Sequence, residues 1–151
     1  THRLMGLSYA VRKRQQRGEP ITGQWSRAHQ YIQDFHNYTF RLQNKNGSFS
    51  ANWFEGRGDW GDEDRRMDTT GHTLEWMAYS LSQEQLRDSR VVQAAAYLST
   101  LMYEHRSHEW EIGPRGHALH ALAIYNQRMF GAGPGYQPAA LADEISSASQ
   151  D

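Results

Sequence analysis

Three histidines stand at matching places in a repeated text: His2-Arg3-Leu4 before Tyr9, His72-Thr73-Leu74 before Tyr79, and His117-Ala118-Leu119 before Tyr125. Gly71 and Gly116 directly precede the second and third histidine. Imidazole binds borderline metals as a neutral ligand and moves protons near neutral pH. Three of them gathered at one place would hold a metal such as zinc with a coordination position left open, or would act as general acid–base groups. Any metal is therefore assigned to His2, His72 and His117, at the first turns of three helices. A helix N-terminus favours the neutral ring, which suits a ligand or a base. The favoured account is structural, and on it no metal is expected: in repeat proteins a repeated residue usually serves stacking, each histidine bonding a neighbouring backbone group.

The residues around these histidines add polar and aromatic groups. Glu75, Trp76 and Tyr79 follow His72 at three, four and seven residues, on one helical face. His120 and Ile124 follow His117 at three and seven. Such a face suits a ligand cavity, or a wet groove of satisfied polar groups. The candidate catalytic residues are His72, Glu75, Tyr79 and His117, and the candidate ligand-binding residues are Trp53, Trp60, Trp76 and His120. Trp53 and Trp60 belong to an aperiodic stretch over residues 48–61, rich in Gly and aromatics, which reads as a long ordered loop able to close the cavity. Glu55, Asp59, Asp62, Glu63 and Asp64 lie in or beside it with Arg57, Arg65 and Arg66. Carboxylates in an ordered loop could do acid–base work, but a solvated charge network is the favoured reading. His105 and His108 fall at a helix end, where histidine ordinarily caps.

The elements that must position these groups read as helices throughout. A first helix carries Leu4, Leu7, Tyr9 and Val11 and ends at Gly18-Glu19-Pro20. A second begins near Trp25, carries Tyr31, Ile32, Phe35 and Tyr38, and stops at Asn44-Lys45-Asn46-Gly47. A third spans about residues 68–81 with Leu74, Met77, Ala78 and Leu81 inward. Ser82-Gln83-Glu84-Gln85 fits a capping box. Asp88 or Ser89 caps a fourth helix that carries Val91, Val92, Ala95, Leu98, Leu101 and Met102. A fifth follows Gly113-Pro114 and carries Leu119, Leu122 and Ile124. The chain divides into a helical repeat domain over residues 1–130 and a Gly/Pro break with a polar tail over residues 131–151. The fold class is all-α.

The His-x-Leu helices alternate with helices of another type, marked by Arg27-x-x-Gln30 and Arg90-x-x-Gln93. Successive His-x-Leu motifs lie 70 and 45 residues apart, and most of the difference is the aromatic loop. Alternation at a ~40–47-residue period is the mark of stacked helical hairpins. Against this background Gln43-Asn44-Lys45-Asn46-Gly47-Ser48-Phe49 resembles the Gln-x-x-x-Gly-x-Trp motif of terpenoid cyclases, with Phe49 in the Trp position and Tyr38 matching the preceding aromatic. Asp68-Thr69-Thr70-Gly71-His72-Thr73-Leu74 is similar to the start of an inner helix in squalene cyclases and protein prenyltransferases. The resemblance covers roughly residues 1–130 and implies an α/α toroid, with inner and outer helices alternating around a cavity. Two departures bear on chemistry. The cyclase Asp-x-Asp-Asp motif is matched only by Asp62-Glu63-Asp64-Arg65, and the prenyltransferase zinc set lacks its cysteine, leaving His72 alone in place. The resemblance therefore speaks for the scaffold more than for the reaction.

Composition sets the outer limits. The chain has 151 residues, a formal net charge of -1, no cysteine, and a hydrophobic fraction of 38% with 12% aromatics. Near-neutral charge argues against binding nucleic acid through bulk electrostatics. The absence of cysteine excludes thiolate sites and disulfides within the chain. No apolar run is long enough to span a membrane, no targeting segment is recognisable, and no cofactor is expected. Five or six helices make about three hairpins, about half of what closes a toroid. The expectation is an open half of an α/α toroid, a piece of a larger protein, or a ring closed by association. The corresponding function is a helical-repeat binding or assembly module whose partner is another polypeptide, in a homo-oligomer or larger assembly. The alternative is a cyclase- or lyase-like enzyme acting on an apolar isoprenoid or a glycan.

Overall fold

A computed structural model describes residues 1–131. The expected polar tail lies almost wholly outside the described residues. The chain is all-α: α1 (His2–Gln16), α2 (Gln24–Leu42), α3 (Glu63–Ser80), α4 (Ser89–Glu104) and α5 (Ile112–Phe130), with a 3₁₀ turn at Gln85–Arg87 before α4. Among the described residues there is no strand, and no helix is long and apolar enough to cross a membrane.

Two helices begin earlier than their sequence signals suggest. α3 starts at Glu63, five residues before the expected Asp68. Asp62 is its N-cap and accepts the backbone N–H of Arg65 at 3.0 Å, while Glu63 and Asp64 fill the first turn, where acidic side chains meet the positive end of the helix dipole. The acidic run read as loop charge is thus largely a helix start. α5 starts at Ile112 and takes Gly113 and Pro114 into its first turn. Proline costs little there, because the first N–H groups of a helix have no intrahelical partner. The capping box before α4 forms as expected: the Ser82 hydroxyl accepts the Gln85 N–H, and the Gln85 side chain accepts the Ser82 N–H.

α3 is the centre of the molecule, with ten of its eighteen residues buried. It packs against α1, α4 and α5; α2 lies on α1, and α4 also touches α5. Contacts run in step along α1, α3 and α5. His2 meets His72 and His117 at one end, Ser8 bonds Trp76 midway, and Arg12 and Arg128 reach the carbonyls at the far end of α3. The three helices are therefore parallel.

Burial corrects several expected stripes. Leu119 is half exposed, and α5 turns Ala118, Ala121 and Tyr125 inward instead. The reason is the close approach of α3: a Cβ added to Gly71 would lie 3.1 Å from the Ala118 backbone and side chain. Only small residues fit that seam. On α1 the buried face is Leu4, Ser8 and Val11, while Tyr9 points outward. On α2 the polar His36 and Thr39 go into the core beside Ile32, and Tyr31 stays exposed.

The aromatic loop is ordered by its own polar groups. Asn44 Nδ2 donates to Ser48 Oγ and to the Gly58 carbonyl, and Ser50 Oγ donates to the Gly56 carbonyl. Gln43 Nε2 donates to the carbonyls of Gly47 and Arg90, each at 2.8 Å, tying the loop entrance to the start of α4. Gly47 has φ +94° and packs so tightly on the Gln93 carbonyl that a Cβ would sit 2.7 Å from its oxygen. Both the backbone conformation and the contact require glycine.

Candidate metal centre

His2, His72 and His117 meet. The rings of His72 and His117 stack at 3.8 Å between centroids, and His2 lies 5.3 Å from His72 and 5.7 Å from His117. One ligand atom from each lies within 4.8 Å of the others. Tetrahedral coordination with metal–nitrogen bonds of ~2.1 Å places the nitrogens about 3.4 Å apart. Only His2 stands in a first turn; His72 is the tenth residue of α3 and His117 the sixth of α5. The helix-terminus argument for neutral rings therefore fails at two of the three positions. Burial supplies the neutrality at His72: desolvation is the main cause that holds its pKa below the usual value, His117 and His2 lower it further, and the bond to Asp68 works the other way.

Hydrogen bonds orient two of the rings. Nδ1 of His72 lies 2.9 Å from the Asp68 carbonyl and 3.1 Å from its carboxylate. A carbonyl can only accept, so Nδ1 carries the proton and Nε2 the free lone pair. Nδ1 of His117 likewise faces Glu75 Oε2 at 2.8 Å, which frees its Nε2. Such carboxylate–imidazole pairs set the tautomer and raise the basicity of metal-ligating histidines. Glu75 is 8% exposed, and its second oxygen meets Nδ1 of His120 at 2.6 Å. Burial disfavours its charge, but the hydrogen bonds from His120 and His117 outweigh that, so its pKa lies below the usual carboxylate range.

Trp53 sits edge-on to His72 at 5.7 Å. Its φ of 55° is positive, the one such value at a non-glycine among the described residues. A non-glycine residue held there stores on the order of 1–3 kcal/mol and must be braced by its surroundings. Arg65 braces it, with its guanidinium 5.5 Å from the Trp53 ring centroid and donating to the Ala51 carbonyl from Nε and Nη2. Thr1, His2, Trp53, Asp68 and His72 line a pocket of about 310 Å³ beside the cluster.

The other candidates lie elsewhere. Tyr79 is two helical turns, about 10 Å, along α3 from His72. It stacks on Tyr9 at 6.2 Å with Arg12 over its ring at 4.8 Å. Trp76 is wholly buried, donates from Nε1 to Ser8 Oγ at 3.0 Å and packs on His36 at 4.8 Å. It is a core residue rather than a cavity wall. Trp60 is exposed, bonded to Asn52 and set against Arg65. His105 caps α4 through its backbone, and His108 reaches Asp64 at 2.9 Å. Asp68 and the joint role of Glu75 escaped the sequence reading. Asp68 stands four residues before His72, a visible same-face spacing, but its type equally suits a helix start. Glu75 meeting His117 depends on the α3–α5 contact, which no local pattern carries. No family model matches the chain, and no curated protein or solved structure was found to match it.

Proposed function

We propose that the chain is a helical-repeat binding module whose functional element is a divalent transition-metal centre at His2, His72 and His117. Its scaffold is read as alternating inner (α1, α3, α5) and outer (α2, α4) helices, an open half of an α/α toroid in the manner of squalene cyclases and protein prenyltransferases. The parallel course of α1, α3 and α5 supports that layering. One observation carries the metal reading: three imidazoles from three separate helices converge, and two have Nδ1 committed to the Asp68 and Glu75 side of the ring. One ring nitrogen from each of the three helices lies within 4.8 Å of the other two. An all-imidazole set suits zinc, copper, nickel or iron rather than calcium or magnesium. Three protein ligands leave a fourth position for water or for a side chain from a polypeptide partner.

Metal analysis of the purified protein tests this, together with the visible spectrum of its cobalt(II) form. The reading expects one metal per chain and an absorbance typical of tetrahedral cobalt. Both are lost in His72→Ala/His117→Ala and kept in His105→Ala. A double variant that still binds one metal refutes it.

The enzyme reading rests on a separate observation. His2 and His72 of the cluster line a pocket together with Thr1, Trp53 and Asp68. A metal there would supply Lewis-acid chemistry. In this reading Glu75 and His120 support the ligands, and Tyr79 is too distant to take part. The substrate, isoprenoid or glycan, would occupy that pocket. Turnover in the metal-loaded protein that chelation abolishes would favour it over the module reading.

A further inference from the structure

A second constellation lies at the far end of α3. Arg12 from α1 donates from Nη1 to the Tyr79 carbonyl at 2.8 Å. Arg128 from α5 donates from Nη1 to Ala78 at 2.7 Å, to Leu81 at 2.8 Å and to the same Tyr79 oxygen at 3.3 Å. The last turn of α3 has no basic residue of its own, so neighbouring helices supply its C-terminal cap. Capping does not account for both arginines. A helix C-terminus presents roughly half a negative charge, whereas two guanidinium ions bring two positive ones to a shared carbonyl. Neither arginine has a carboxylate partner among the described residues. Burial, and Arg12 after it, hold the Arg128 pKa below its ordinary value, the mark of an uncompensated cation.

The surplus charge borders a cleft of about 240 Å³ between α1, α2 and the segment that follows α3. His29, Gln33, Ser80, Ser82 and Gln85 also line it, and no carboxylate does. Each arginine has five N–H donors, and the carbonyl bonds involve a single nitrogen of each. The remaining donors form rigid forks suited to tetrahedral oxyanions. The Arg12 guanidinium lies over the Tyr79 ring, which holds its orientation.

We propose that this cleft binds a compact phosphate-type oxyanion, free or as the head of a phosphomonoester, between Arg12, Arg128 and His29. The volume takes a phosphate with a small attached group, not an extended chain. The site is separate from the metal centre and stands or falls independently of it.

The test uses protein stripped of metal with EDTA and desalted, so that phosphate has no metal to bind. Inorganic phosphate and glycerol 3-phosphate are titrated against sodium chloride at matched ionic strength, following arginine Nε–H resonances and heat of binding. The expected result is saturable movement of the Arg12 and Arg128 signals with phosphate but not with chloride. Arg12→Gln and Arg128→Gln should weaken binding about tenfold or more, as loss of a charge-assisted contact does. His29→Gln, which removes no cap, should weaken it about threefold. Tighter binding of glycerol 3-phosphate assigns the site to a phosphomonoester; equal binding assigns it to the free ion. Chloride reproducing the signal, unmoved arginine resonances, or folded variants that titrate like the parent protein would overturn the proposal. If an arginine variant fails to fold, the wild-type resonances and His29→Gln decide.

Discussion

His36 makes the protein lose stability in mild acid, and by an amount the structure defines. The ring is 1% exposed and packs on Trp76. The Ser80 hydroxyl donates its one proton to the Trp76 carbonyl, so the 2.7 Å contact with His36 requires His36 Nε2 to be the donor. Nδ1 is left as a buried lone pair with no partner. Protonation there would bury an unpaired cation. Desolvation, with a smaller contribution from His29, lowers the pKa from 6.5 to about 4. The unfolded chain takes up this proton as pH falls through 6.5, and the folded chain refuses it until about pH 4. Between those values the unfolded state binds more protons, so stability present at neutral pH is lost as pH falls. The loss amounts to about 3 kcal/mol between pH 7 and pH 4, with a slope of about 1.2 kcal/mol per pH unit near pH 5. For a chain of this size that lowers Tm by on the order of 10 °C. Urea melts of wild type and His36→Gln across pH 4–7 isolate the effect, because other titrating groups cancel in the difference. His36→Gln is expected to be less stable at pH 7 but to lose less on acidification. Parallel pH profiles for the two proteins would refute the reasoning.

Two substitutions test how packing supports the site. Gly71→Ala inserts a methyl 3.1 Å from the Ala118 backbone, which cannot yield as a side-chain tip can. It should cost about 1–3 kcal/mol in thermal or urea melts, and should also weaken metal binding, since it parts His72 from His117 without altering a ligand. Glu75→Gln keeps the shape but removes the charge that accepts from His117 and His120. Competition with a zinc chelator should reveal about 10–100-fold weaker binding, and unchanged affinity would remove Glu75 from the centre.

How much of this was legible in the sequence differs from element to element. The helices could be read because each carries its own signals: apolar spacing, the Ser82–Gln85 box and the Asp88 cap are all local. The start of α3 is ambiguous in sequence because Asp62, Glu63 and Asp64 serve equally as loop charges and as a capped first turn. On α5 the sequence points to Leu119 where the structure buries Ala118 and Ala121, because leucine outweighs alanine in hydrophobicity alone; Leu122 and Ile124 do pack against the core. A tight helix–helix seam selects for small size, and size matters only once the partner helix is known.

The sequence by itself determined that the chain is helical, and that His2, His72 and His117 share a His-x-Leu context with a tyrosine following. Those properties follow from short-range spacing, which survives in any fold that keeps the helices. The tertiary structure alone decided that the three rings meet, and that Glu75 joins two histidines from another helix. It also decided that Tyr79 and Trp76 leave the group, one for a distant cleft and one for the core. Which residues converge depends on how parallel helices are set against one another, and Gly71 and Ala118 fix that setting by how closely two backbones can approach.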